Sequence, residues 1–129
     1  MYPTLPESEP DVQLSYVSLP TATGDVTAVL PWPTAPGTYP AVVVGAGAWG
    51  LTSEMVDVAR RLAGQGYVTI MPDYLRGEGF GDTDHDDMPR LMRFIDSLDF
   101  RRASDDLFAG ASHLAGLDPS QPVFASRDP

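Results

Sequence analysis

The sequence predicts an α/β fold in which an antiparallel hairpin feeds a parallel strand–helix–strand unit, and three observations carry the prediction. Residues 12–30 alternate apolar and polar positions on both sides of a glycine turn, the pattern of two paired, half-buried strands. Residues 41–47, "AVVVGAG", are continuously apolar until they break into glycine, as a strand buried on both faces of a parallel sheet would be. From Thr52 to Pro72 the chain reads as a capped helix followed by a second buried strand, "YVTIMP". That is the crossover that joins parallel strands with a right-handed sense.

Taken in order, residues 1–11 are acidic and proline-rich, the composition of a flexible lead-in. Residues 12–129 are expected to form a single domain. Val12, Leu14 and Tyr16 alternate with polar neighbours in the first strand, Val12–Leu19. "TATGD" is the turn, with Gly24 suited to a positive φ beside Asp25. Val26–Leu30 alternates again and completes the hairpin. "PTAPGTYP" is a proline-punctuated loop before the valine strand. Thr52 or Ser53 can cap the following helix, Glu54 to Gly64, which carries Met55, Val58 and Leu62 on one stripe. Gly64 or Gly66 offers its left-handed C-terminal cap, and Pro72 stops the next strand. "DYLRGEGFGDTDHDD" is a long glycine- and acid-rich loop of the kind that is usually functional. Two helices then resume, "MPRLMRFIDSL" with Pro89 in its first turn and "FRRASDDLFAGASHLAGL" with Leu107, Ala111, Leu114 and Ala115 in register.

Composition narrows the function. With 129 residues, 43% hydrophobic and 20% charged, the chain has the make-up of one soluble globular domain. No apolar run approaches the roughly 20 residues of a membrane span, and the N-terminus has the pattern of neither a signal peptide nor a basic transit sequence. Eighteen acids against eight arginines give a net charge of −10, which repels nucleic acid and anionic lipid. The absence of lysine excludes a Walker phosphate lysine and a Schiff-base lysine, and the absence of cysteine excludes disulfides and thiolate nucleophiles within these residues. A cytoplasmic setting, with no cofactor and no metal, is the expectation.

Gly45, Gly47 and Gly50 spell G-x-G-x-x-G, so a dinucleotide-binding turn is one reading. Against it, Asp73 stands 28 residues after Gly45, farther than the usual ~20. That acid is reached through Pro72, and a hairpin precedes the unit.

The other reading is a resemblance. The order of hairpin, "YPAVVVGAGAWGLTSEMVDVARRLAGQGYVTIMPDYLRG" and a helix ending "ASDDLFAGASHLAGL" resembles the first half of the dienelactone hydrolases, of the α/β-hydrolase fold. There a strand ends in a turn of the form x-E-x-[WF]-G-L and a later one in P-D-L-Y-x-R. This chain has "GAWGL" at 47–51 and "PDYLR" at 72–76, and the likeness runs over residues 12–117. It implies a three-layer partial sheet in the order 1-2-4-3 and an ester or lactone hydrolase. It further implies an oxyanion-hole amide at Ala48, an acyl-pocket wall at Trp49 and a substrate-carboxylate clamp at Arg76. For Trp49 a core aromatic, and for Arg76 a salt bridge to Asp73 or Glu78, stand as the plain alternatives.

The chain also departs from the family. Gly47 stands where those enzymes carry the turn glutamate, and no G-x-[CS]-x-G elbow is present, so the nucleophile and the catalytic histidine are not encoded here. His113 reads as a rim residue of the last helix and His85 as part of the acidic loop at 82–87, which lacks calcium-loop spacing. The domain is therefore expected to be the N-terminal half of such an enzyme, inactive alone. Its valine strand would stand at an unprotected edge, to be covered by a complementary C-terminal half or by a second copy as a homodimer. A non-catalytic homo-oligomeric binding module is the alternative, and a dinucleotide-binding domain a more remote one.

Overall fold

A computed structural model of the chain describes residues 2–6, 11–79, 81–82 and 85–116. Strands β1 (Val12–Thr21) and β2 (Gly24–Pro33) form the hairpin, in register from Val12 opposite Pro33 to Thr21 opposite Gly24. Gly24, at φ +124°, makes the turn that a side chain would strain. After them come β3 (Ala41–Val43), α1 (Ser53–Gly64), β4 (Val68–Pro72), α2 (Met88–Asp96) and α3 (Phe100–Ala115). The sheet order is β1-β2-β4-β3, with β4 antiparallel to β2 and parallel to β3. The expected order and fold class are thus present.

Alternation along β2 and β4 separates two cores. Val26, Ala28 and Leu30 join Val68 and Ile70 beneath Leu114 of α3. Val29 and Met71 face the other way, onto Val56 and Ala59 of α1. One helix on each face makes three layers.

Three details differ from the sequence reading. β3 is three residues long, shorter than its apolar run; among the described residues it pairs on one side alone, and it runs into glycine, while Val44 adds one more bond, to the Ile70 carbonyl at 2.9 Å. The face that α1 buries is Val56, Ala59 and Ala63, with Met55, Val58 and Leu62 turned to its flank and half-buried. α3 likewise buries Ala103, Asp106, Gly110 and Leu114, and leaves Ala111 and Ala115 exposed. Both rotations have one cause. Small residues let the helix axes approach the sheet, and at Gly110 a Cβ would stand 2.8 Å from Pro72 Cγ.

Capping follows the sequence closely. The Thr52 side chain accepts from the Met55 amide at 3.1 Å, and Gly66, at φ +95°, reverses the chain after α1. Asp87 and Asp99 cap α2 and α3. Residues 2–6 are docked, with Pro3 O accepting from the Tyr16 hydroxyl at 2.5 Å and Tyr2 and Leu5 packing onto the α1-side core. Among the described residues no helix is long and apolar enough to cross a membrane.

Candidate functional site

The chain must stop pairing at the carboxyl end of β3, and residues 45–51 make the turn into α1. Gly50 takes φ +90° and its amide donates to Gly47 O at 2.9 Å, closing a tight bend around Ala48 and Trp49. Tyr74 donates to Ala46 O at 2.7 Å from the far side, and its burial raises the phenol above its ordinary pKa. The Ala48 amide makes no backbone hydrogen bond to any of the described residues. It is half-buried, in the turn that leads into α1. A free donor of this kind, at the carboxyl end of a parallel strand, suits a developing oxyanion.

The acidic loop closes over this turn. Gly81 donates to Trp49 O at 2.9 Å, and the Trp49 ring stacks on His85 with centroids 4.3 Å apart and planes 17° from parallel. Asp82 accepts from the Ser53 amide at 2.9 Å and from the Ser53 hydroxyl. Those two bonds, with His85 nearby, hold its carboxyl below the usual carboxylate range. Gly79 fits where nothing larger would, since a Cβ there would meet Trp49 O at 2.8 Å and Gly50 Cα at 3.3 Å. Thr83 and Asp84 of the acidic stretch lie outside the described residues. Among the described residues no cluster of three or more His, Asp or Glu side chains could hold a metal.

Arg76 faces elsewhere. It adopts φ +51°, uncommon for a residue with a side chain. Its guanidinium grips Asp106 through Nε at 2.9 Å and Nη2 at 2.6 Å, and donates to Thr23 O, Thr23 Oγ1 and Thr21 Oγ1 at 3.1, 2.8 and 3.3 Å. Asp106 is fully buried. The structure thus brings Ala48 and Trp49 together and directs Arg76 to α3 and the β1–β2 turn. The ion pair is with Asp106, not with Asp73 or Glu78. His113 lies half-buried on α3, and Ser53 is engaged by Asp82.

Sequence reasoning missed Asp106 and the pair Asp73 and Tyr2. Asp106 stands three residues after Ala103 and four before Gly110, a buried stripe concealed by the more hydrophobic Leu107. Asp73 is 2% exposed and accepts from the Leu75 and Gly77 amides at 3.2 and 2.7 Å and from the Tyr2 hydroxyl at 2.6 Å. That partner comes from 71 positions away, and no local pattern signals it.

An open groove of about 360 Å³ lies beside the outer edge of β3, lined by Val43, Gly45, Ser104, Leu107, Phe108 and Ala111. Phe108 is 70% exposed within it. Among the described residues no strand pairs with that edge.

Comparison with known proteins accounts for this architecture. A Synechocystis sp. protein assigned as a carboxymethylenebutenolidase is 36% identical over 62 residues, 48% of this chain and 25% of that protein. The crystal structure of a Klebsiella pneumoniae protein assigned as a dienelactone hydrolase superposes on 81% of the chain with a TM-score of 0.71 and 27% identity. A dienelactone hydrolase-like promiscuous phosphotriesterase from metagenomic libraries shares the fold at 20% identity, with a TM-score of 0.64 over 85% of the chain. The chain spans a quarter of the length of the first and 44% and 46% of the other two. The sequence profile of the dienelactone hydrolase family matches residues 26–122, three quarters of the chain, which therefore belongs to that family.

Proposed function

We propose that the chain supplies the oxyanion side of an ester or lactone hydrolase whose nucleophile and base lie on polypeptide beyond these 129 residues. The observation that carries this reading is the unclaimed Ala48 amide, held in a turn that Gly50, Tyr74 and Gly81 brace on three sides. Trp49, stacked on His85, walls the acyl pocket next to it. The G-x-G-x-x-G spelling then describes that bend and not a pyrophosphate cradle. Arg76 clamps a substrate carboxylate only if it leaves Asp106, so we assign it to holding α3 against the hairpin.

The β3 edge and its groove are where the complementary half would seat. A strand added there would satisfy the open edge, and the segment following it would cover Leu107, Phe108 and Ala111. Gel filtration with light scattering separates the alternatives: a dimer of this chain alone favours a second copy, and a stable monomer that binds little hydrophobic dye sinks both forms of edge pairing.

The catalytic reading is tested by joining the chain to the C-terminal portion of the Klebsiella relative and replacing Ala48 with proline, which deletes the amide. Loss of one oxyanion donor lowers kcat by about 100-fold or more. A loss under about threefold in a folded chimera overturns the assignment. Turnover of p-nitrophenyl acetate by this chain alone, abolished by one substitution within it, overturns the proposed inactivity.

A further inference from the structure

We infer that Tyr2 is a positioning residue for the oxyanion turn, acting through the buried carboxylate of Asp73. The inference takes its catalytic meaning from the oxyanion reading, but the lock itself is a property of this chain. The contacts run in sequence from arm to turn. The Tyr2 hydroxyl donates to Asp73 Oδ2 at 2.6 Å, and its ring packs on Tyr16 with centroids 5.6 Å apart. The same Asp73 carboxylate receives the Leu75 and Gly77 amides. It thereby fixes the bend that leaves β4, whose Arg76 and Glu78 amides close onto Asp73 O and Leu75 O at 2.9 and 3.0 Å.

That bend is pressed against the oxyanion turn. Gly79 leaves no room for a Cβ between itself and Trp49 O, Leu75 Cδ1 and Gly50 Cα, at 2.8, 3.0 and 3.3 Å. From the other side, a Cβ on Gly50 would meet Leu75 Cδ1 at 3.5 Å and Gly79 Cα at 3.6 Å. The loop then hands the Gly81 amide to Trp49 O. The turn therefore cannot shift unless the 73–79 bend shifts with it, and the bend is organised around one carboxylate.

A carboxylate 2% exposed to solvent needs donors. Two are backbone amides of the bend itself and the third is Tyr2. Burial, with Asp73 close by, pushes the Tyr2 phenol well above its ordinary pKa, so the hydroxyl keeps its proton and remains a donor. Removing that donor leaves Asp73 free to draw water or to turn away from Leu75 and Gly77. The fault then passes to Trp49 and the Ala48 amide. Pro3 completes the strap, its carbonyl held by Tyr16.

Hydrogen exchange on the chain as it stands tests this, because three amides report the path directly. Gly77 is protected by Asp73 Oδ2, Gly81 by Trp49 O and Gly50 by Gly47 O. Tyr2→Phe should speed exchange at these three amides by about tenfold or more. The effect should be independent of denaturant, while amides of the β1–β2 ladder keep their rates. Tyr39→Phe removes a hydroxyl bonded to Ala35 O and should leave all three unchanged. Uniform acceleration across the sheet would reduce Tyr2 to a general stabilising contact, and no acceleration would remove it from the path. Should Tyr2→Phe prove too disruptive, Tyr2→Leu keeps an apolar side chain in that place without any donor and must give the same local pattern. Failure here leaves the Ala48→Pro result untouched, and failure there leaves this lock standing.

Discussion

The two sides of the sheet are built on opposite terms. On the hairpin side, Arg76 and Asp106 fasten α3 to the β1–β2 turn, with Thr21 and Thr23 taking the remaining donors. Gly110 brings α3 down onto Pro72 and Ile70. On the β3 side the strand is three residues long, its outer edge is unpaired among the described residues, and Phe108 stands in solvent. One side is finished within these residues. The other has the apolar surface of an interior and no strand neighbour among the described residues, as a family member matching under half of its relatives' length should show. Stability should therefore depend on the closed side, and association on the open one.

Asp106→Ala is the severest way to break the comparison. It leaves the Arg76 guanidinium half-enclosed without its partner, and breaking a buried pair costs about 3–5 kcal/mol. Urea denaturation should show that loss. A cost under about 1 kcal/mol would mean that the hairpin side is not held by charge. Gly110→Ala comes next, at about 1–3 kcal/mol, because the new methyl meets the Pro72 ring at 2.8 Å and a proline ring yields little. Its counterpart on the open side is Gly45→Ala. No atom lies within 4 Å of the added Cβ there, so the change should cost less than about 0.5 kcal/mol. Equal costs at the two glycines would erase the asymmetry.

The same asymmetry explains what the sequence could show. Strand and helix positions and a cap at Thr52 or Ser53 were legible because each rests on local periodicity and capping chemistry, while the sheet order came with the family resemblance. The buried helix faces were not. Met55, Val58 and Leu62, like Leu107 and Ala111, fit the sequence periodicity, yet the described residues leave them half-buried or exposed. Met55 lies 4.0 Å from a Cβ built on Gly47, and Leu107 and Ala111 line the groove beside Val43. Hydrophobic pattern reports what a chain is made to bury, while observed burial reports what is present to bury it. In the candidate site, the Ala48 turn was readable from its glycines and their order before a helix. The braces, from Tyr2, Asp73 and Asp106, were not, since each joins residues at least 30 positions apart.

The loop over the turn gives a smaller, pH-dependent test. Asp82 has a depressed carboxyl pKa in the folded chain because Ser53 donates to it twice. A group depressed by folding contributes above its unfolded pKa and loses that contribution as pH falls through the folded one. The contact with α1 should thus be intact at neutral pH and release below the ordinary carboxylate range. Asp82 is exposed, so global stability should barely respond. Trp49 emission, read in a Trp32→Phe background, should follow the release through its stacking on His85. Ser53→Ala should move the transition upward, toward an ordinary carboxylate. A transition that ignores Ser53 would detach the loop from α1.

Phe108→Ser should have the smallest effect on folding and isolates the open side. The ring is 70% exposed, so its removal from the folded chain withdraws little buried area and should change stability by less than about 0.5 kcal/mol. It does, however, remove the largest apolar side chain lining the groove beside β3. Binding of a hydrophobic dye should fall, and association through this face should weaken, while the urea midpoint stays in place. A shift of that midpoint by more than 1 kcal/mol would show that Phe108 already has an intramolecular neighbour, and the β3 side would then be closed by the chain itself.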